Sequence, residues 1–168
     1  MKPKMYMGID IGIDGGIGFI DPHHDLMGVY LMPVIGTRGK GKRAYDIHGV
    51  VDLIQMWNDH DIIAIIEDVT FMPTWNKHTL GLQYGCLYAF MGIFATLDIP
   101  FQVKQARVWQ KKIFEGMPKQ DTKTMSALVA KRLYPDESFT VGKGTKIHSG
   151  LTDALCIAAY CQYIFGGK

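Results

Sequence analysis

A carboxylate set in the middle of an apolar strand constrains this chain more than any other feature. The stretch Met5 to Phe19, MYMGIDIGIDGGIGF, surrounds Asp10 with apolar and small residues that read as a buried strand. The turn signal Asp14-Gly15-Gly16 and a second apolar run follow at once. An unpaired buried carboxylate costs several kcal/mol, so Asp10 must be protonated, ion-paired, bound to a cation or satisfied by backbone amides of its turn. No Lys or Arg lies nearby in sequence to serve as partner.

The rest of the chain supplies the elements such an acid needs around it. Leu26 to Met32 reads as a third strand, giving an antiparallel meander joined by the turns at Asp14-Gly15-Gly16 and Asp21-Pro22. Gly36 to Arg43, GTRGKGKR, carries four bases and three glycines. It reads as a mobile loop, either a solvated linker or an arm that tracks a nucleic-acid backbone through Arg38, Lys40, Lys42 and Arg43. Apolar residues at Ile47, Val50, Val51, Ile54 and Trp57 then give an amphipathic helix. The apolar run Ile62 to Ile66 ends in Glu67-Asp68, and a helix followed by a buried strand marks a crossover to a parallel neighbour. That puts Glu67 at a strand end, where ligands collect in open sheets. Strand alternation sends Asp68 to the opposite side, and Asp14 suits its turn.

From Lys77 to Leu97 a helix is expected in which Gly81, Gly85, Ala89, Gly92 and Ala95 recur near every fourth position. This smooth face packs on the sheet, on a second copy of the chain, or on both. Ile99 to Val103 is a short strand with Lys104 at its exit. Eight bases and two acids lie between Lys104 and Arg132, in two helical pieces, the second capped by Asp121. A glycine-rich basic loop, Val141 to Gly150, carries Lys143 and Lys146 and leads to a last apolar helix, Leu151 to Phe165, with Asp153 in its first turn.

At 168 residues, 48% hydrophobic and 20% charged, the chain suits one domain over 1–168. No apolar run approaches the ~20 residues of a membrane span, and the first strand begins too early for a signal peptide, so a cytoplasmic protein is expected. Cys86, Cys156 and Cys161 lack metal-ligand spacing or an even count and read as core residues. Charge is divided unevenly: residues 1–100 hold 7 bases and 11 acids, residues 101–168 hold 11 bases and 5 acids. The second part is therefore the one suited to face a polyanion, unless its bases form solvated helix faces.

Asp10, Glu67 and Asp153 share one description, an acid at the border of a core. If their elements are neighbours, the three carboxylates meet at one sheet edge and suit Mg²⁺ or Mn²⁺. In their order and spacing, GIDIGIDGG, IIEDV, FQVKQARVW, DTKTMSALVAKRLYP and HSGLTDALCIAAY resemble the RuvC-type Holliday junction resolvases of the ribonuclease H-like superfamily, in particular the small forms of phages and related viruses. The resemblance runs from about Tyr6 to Tyr160. It implies an α/β fold with a mixed five-stranded sheet, three antiparallel strands then two parallel, flanked by helices. It also implies a homodimer that binds four-way DNA junctions and nicks opposed strands with Mg²⁺. By matching motifs, Asp10, Glu67 and Asp153 are implied as metal ligands, and Lys104 and Lys123 as bases at the scissile phosphate or neighbouring backbone. Phe71 and Trp75 fall where the family inserts a side chain near the junction centre; packing of their own loop is the alternative. Lys77, Arg107, Lys111 and Lys112 join the bases expected to touch DNA.

One departure from the family pattern stands out. A second acid or a histidine is usual about one turn before the last aspartate, whereas here Ser149 and Gly150 occupy those places. His148 is the nearest candidate for a further metal ligand. Competing readings are a ribonuclease H-like nuclease acting on other branched DNA or on RNA, and a junction-binding protein without cleavage activity. An actin-like or sugar-kinase phosphate-binding domain shares the first loop but needs two such domains, for which this chain is too short.

Overall fold

The computed structural model describes residues 2–23, 26–37, 43–70 and 76–167, and the backbone but not the side chains of Leu26 and Met27. In chain order the elements are β1 (Lys4–Asp10), β2 (Gly16–Asp21), β3 (Leu26–Leu31), β4 (Val34–Ile35), β5 (Ala44–Tyr45), α1 (Ile47–Gln55), β6 (Asp61–Glu67), α2 (Lys77–Thr96), β7 (Phe101–Lys104), α3 (Ala106–Ile113), α4 (Thr122–Leu133) and α5 (Ser149–Phe165). Five strands form one sheet in the order β3-β2-β1-β6-β7. β1, β2 and β3 pair antiparallel; β6 and β7 continue the sheet parallel to β1. The mixed sheet, with its antiparallel meander and two parallel strands, is the expected one. No helix among the described residues is long and apolar enough to cross a membrane.

Alternation along β1 divides the layers. Met5, Met7 and Ile9 enter the core beneath α1 and α2, with Val50 and Ile54 from α1 and Cys86, Leu87, Phe90 and Phe94 from α2. Tyr6 points to the other face, joining Ile65 of β6, Trp109 of α3, Met125 and Val129 of α4, and Ile157 of α5. Asp10 shares the side of Tyr6, and Glu67 the side of Ile65, because side chains repeat every second residue. Both acids therefore emerge toward α5. Helix α5 can lie directly on the strands because β1 has no side chain where they touch: a Cβ on Gly8 would stand 2.6 Å from the backbone carbon of Ile157.

Two features add to the expected outline. The two-stranded ladder of β4 and β5 forms a neck at the base of the basic segment, with Val34 opposite Tyr45 and Ile35 opposite Ala44. It is tied to the end of β1, since the Tyr45 hydroxyl donates to the Ile11 carbonyl at 2.7 Å. At the far end of the sheet Asp21 is fully buried and His60 stands 3.1 Å from its Oδ2. This pairing is how a carboxylate at the end of β2 tolerates the core.

Helix α2 is apolar on nearly all sides, yet only one side is covered. Across from Phe90 and Phe94, Tyr84 and Tyr88 stack in the open with ring centroids 6.5 Å apart, Tyr88 being 65% exposed. Beside them Gly81, Gly85 and Gly92 have nothing within 4 Å of where a Cβ would stand. The small-residue face thus points away from the protein's own sheet.

Candidate active site

The site begins where β1 and β6 end together. Ile9 is the register partner of Ile66, so Asp10 and Glu67 follow side by side at the exits of adjacent parallel strands. Lys104, the last residue of β7, is the register partner of Glu67. Paired residues of neighbouring strands present their side chains on the same face. A cleft of about 360 Å³ opens here, lined by Asp10, Gly12, Glu67, Asp68, Thr70, Gln83 and Ala106 among others. A larger groove of about 910 Å³ lies at the other end of α5, between Arg132, Tyr163 and Gly166, but no carboxylate lines it among the described residues. The acids, not the volume, mark the chemistry.

Asp153 approaches the same edge from the helix layer. Its helix starts at Ser149, so Asp153 sits one turn inside and not in the first turn as the sequence pattern implied. The earlier start follows from Gly150, whose bare Cα lets the helix press on the β1–β2 turn. A Cβ there would meet the Asp14 carbonyl and come within 2.8 Å of Gly15 Cα. Neither an acid nor a histidine fits where Gly150 stands without displacing the β1–β2 turn.

Electrostatics link the three carboxyls. Burial raises the pKa of Asp10 to about 7, opposed by a hydrogen bond from Gly12 N to its Oδ1 at 3.1 Å and reinforced by the charge of Asp153. Burial likewise raises Glu67 to about 8, with the charge of Asp10 next in weight, then a lowering bond from Trp109, then Asp153 and Asp68. Asp153 is shifted up by burial and pulled back by the Ser126 hydroxyl and the Lys123 charge. Ser126 Oγ is buried and closes no hydrogen bond of standard geometry, so its influence on Asp153 is that of a nearby dipole. None of the three acids has an ion-pair partner among the described residues.

Such a group of mutually repelling hard oxygens fits a divalent cation, which removes the repulsion when it binds. Among the described residues, no three acidic, histidine or cysteine side chains already stand at coordinating separations.

The other candidates take varied places. Lys123 lies in the first turn of α4, whose start is capped by Asp121 accepting from Thr124 N at 3.0 Å. His148 is the N-cap residue of α5, and its buried Nδ1 has no partner, but it is not among the groups that shift Asp153. Arg43 forms a two-pronged pair with Asp14 at 2.7 and 3.1 Å, placing the neck beside the β1–β2 turn. Arg107 and Lys111 are exposed on one side of α3, and Lys77 is exposed at the start of α2. Lys112 instead pairs with Glu115 at 2.7 Å and covers the Tyr163 ring at 4.4 Å. Lys143 and Lys146 are exposed in the loop before α5. Arg38, Lys40, Lys42, Phe71 and Trp75 lie outside the described residues.

Asp68, like Asp14, is a weaker candidate ligand from the sequence, whereas Trp109 and Gln83 were not legible beforehand. Asp68 borders the same cleft as Glu67, and its backbone N continues the ladder to the Lys104 carbonyl at 2.8 Å. Trp109 donates from Nε1 to Glu67 Oε2 at 2.7 Å. Gln83 reaches the cleft from α2.

No protein-family model matches the chain, and no curated protein matches it by sequence. Solved structures do. RuvC of Thermus thermophilus in complex with a Holliday junction substrate superposes with a TM-score of 0.60 at 15% identity, covering 98% of both chains. A second structure of Thermus thermophilus RuvC gives 0.54 at 17% identity over 96% of each chain. The yeast mitochondrial Holliday junction resolvase Ydc2 gives 0.51 at 14% identity, over 95% of this chain and 77% of that one. The chain has the RuvC-type, ribonuclease H-like fold.

Proposed function

We propose that this protein is a Mg²⁺-dependent endonuclease that resolves four-way DNA junctions by paired nicks, leaving 5′-phosphate ends. The observation that carries the reading is the meeting of Asp10, Glu67 and Asp153, all with raised pKa values, at one sheet edge beside Lys104 and Lys123. The fold is that of proteins solved as Holliday junction resolvases, one of them with its junction bound.

The three carboxylates would hold Mg²⁺, or Mn²⁺ in its place, with His148 as a further candidate ligand from the N-cap of α5. When bound, the metal activates the attacking water and stabilises the leaving oxygen of the phosphodiester. Asp10, anchored by Gly12 N, and Glu67, anchored by Trp109, keep their oxygens at the strand ends while the phosphate arrives. Lys104 and Lys123 approach from β7 and α4 and stabilise charge growing on the phosphoryl oxygens. The basic arm with Arg38, Lys40, Lys42 and Arg43, together with Lys77, Arg107, Lys111, Lys112, Lys143 and Lys146, supplies the backbone contacts. Phe71 and Trp75 serve as stacking groups near the branch point.

Paired nicks need two sites, and the open face of α2 supports a homodimer. Its glycines leave room for a second helix backbone, and Tyr84 and Tyr88 offer apolar area that water otherwise covers.

The test is cleavage of a synthetic four-way junction, with linear duplex, Y-fork and RNA–DNA hybrid in parallel, in Mg²⁺ and in EDTA. Paired symmetric nicks on the junction, absent in EDTA, are expected. Equal cutting of forks or hybrids would make the protein a broader nuclease. Binding without any cutting would make it a junction-binding protein.

A further inference from the structure

Glu67 differs from the other acids of the cleft in being held from behind by a large side chain. Trp109 is 1% exposed and sits edge-on to Phe114, with ring centroids 5.7 Å apart. Its surroundings are apolar, made of Tyr6, Ile65, Met125 and Ile157. Packing alone does not call for an indole there, since a phenyl ring fills apolar space with no polar atom to satisfy. An indole has one donor and no acceptor, so its placement in a core is set by where the N–H can go. Here it goes to Oε2 of Glu67, 42 residues away in sequence, at 2.7 Å. Glu67 itself lines the cleft.

Helix α3 is well placed to hold that donor still. It begins two residues after Lys104, and Phe114 N closes its end on the Gln110 carbonyl at 2.9 Å. Glu67 lies on β6 inside the sheet, hydrogen-bonded between β1 and β7. The contact thus joins two rigid elements.

We propose that Trp109 is a positioning residue for Glu67: its indole N–H holds Oε2, so that the carboxylate offers its other oxygen to a divalent cation in one fixed orientation. The proposal rests on the reading of the cleft as a divalent-metal site. Groups that orient a metal ligand in this way typically change metal affinity or activity by about 10- to 100-fold when removed.

The experiment measures Mn²⁺ binding to the full chain by calorimetry, without DNA, for the unaltered protein and for Trp109→Phe, which keeps a ring against Phe114 and removes the donor. About tenfold weaker binding is expected, with the unfolding midpoint in EDTA little changed. In a Glu67→Gln background the same change should have no further effect on Mn²⁺ binding, a non-additivity that a packing role would not produce. Equal Mn²⁺ affinity for Trp109→Phe and the unaltered protein overturns the proposal. A second measurement does not depend on the variant folding. In the ¹⁵N spectrum of the unaltered protein, the Trp109 indole resonance should move with Mg²⁺ at the calorimetric midpoint, and a resonance that stays put also overturns it. Mn²⁺ uptake unchanged by Asp10→Asn and Glu67→Gln refutes the metal site itself and the proposal with it. Uptake lost in Glu67→Gln but intact in Trp109→Phe refutes only the role of Trp109.

Discussion

Asp10→Asn should make the metal-free protein more stable at alkaline pH while removing its chemistry. Burial raises the Asp10 carboxyl from about 3.8 to about 7. A raised folded pKa means that the folded state binds more protons than the unfolded chain across that interval. The contribution of this carboxyl to stability therefore falls as pH rises from about 4 to about 7, and levels off above. Each pH unit in the window corresponds to about 1.4 kcal/mol. Between pH ~5 and pH ~7 the loss from this one group approaches about 3 kcal/mol, less whatever repulsion Glu67 and Asp153 absorb in common. Asparagine carries no charge, and its side-chain oxygen still accepts from Gly12 N. The variant should consequently gain on the unaltered protein by roughly 1.5 to 3 kcal/mol over that span, which for a domain of this size is a relative rise in Tm of about 3 to 12 °C. The assay is thermal unfolding followed by circular dichroism in EDTA, at intervals from pH ~5 to pH ~9. Curves that stay parallel over the whole range would refute the reasoning, as would a variant that loses ground as pH increases. Mg²⁺ should then raise the Tm of the unaltered protein at pH ~8 and leave the variant nearly unmoved.

The same carboxyls shape the reaction. At sub-saturating Mg²⁺ the cleavage rate should climb with pH through the region of about 7 to 8 where Asp10 and Glu67 lose their protons, and flatten as Mg²⁺ is raised; a pH-independent rate at low Mg²⁺ would contradict this. Lys104→Ala and Lys123→Ala should each slow single-turnover cleavage by about 10- to 1,000-fold while junction affinity in gel shift changes little; a matching loss of affinity would make them backbone anchors. Gly150→Ala should destabilise by about 1 to 3 kcal/mol in urea unfolding, because its Cβ must displace the backbone of the β1–β2 turn. A neutral result there would mean that the start of α5 does not press on that turn.

The sheet was legible because its signals are local. The apolar runs around Asp10 and before Glu67 have strand length, and the intervening Val50 and Ile54 repeat at helical spacing, so a parallel crossover follows from pattern, whereas the five-stranded order came with the family resemblance. What lay out of reach depends on contacts between distant segments. Nothing near Trp109 in the chain announces that its N–H will find Glu67, and the His60–Asp21 pair likewise joins segments 39 residues apart in the chain. β4 and β5 are two residues each, too short to show alternation. For Asp153, the helix start shifted because Gly150 permits a backbone contact that propensity does not encode.

The neck formed by β4 and β5 separates two kinds of evolutionary change. Its ties, Tyr45 to the Ile11 carbonyl and Arg43 to Asp14, both land on residues just after Asp10. Whatever chain runs between Ile35 and Ala44 thus leaves and returns at the same two points. Lengthening the part of that segment before Arg43, or altering its charge, leaves both ties and the strand ends that carry the acids where they are. On the proposed function, that part of the chain is an exchangeable cassette for substrate preference, while the strand ends stay under selection of their own.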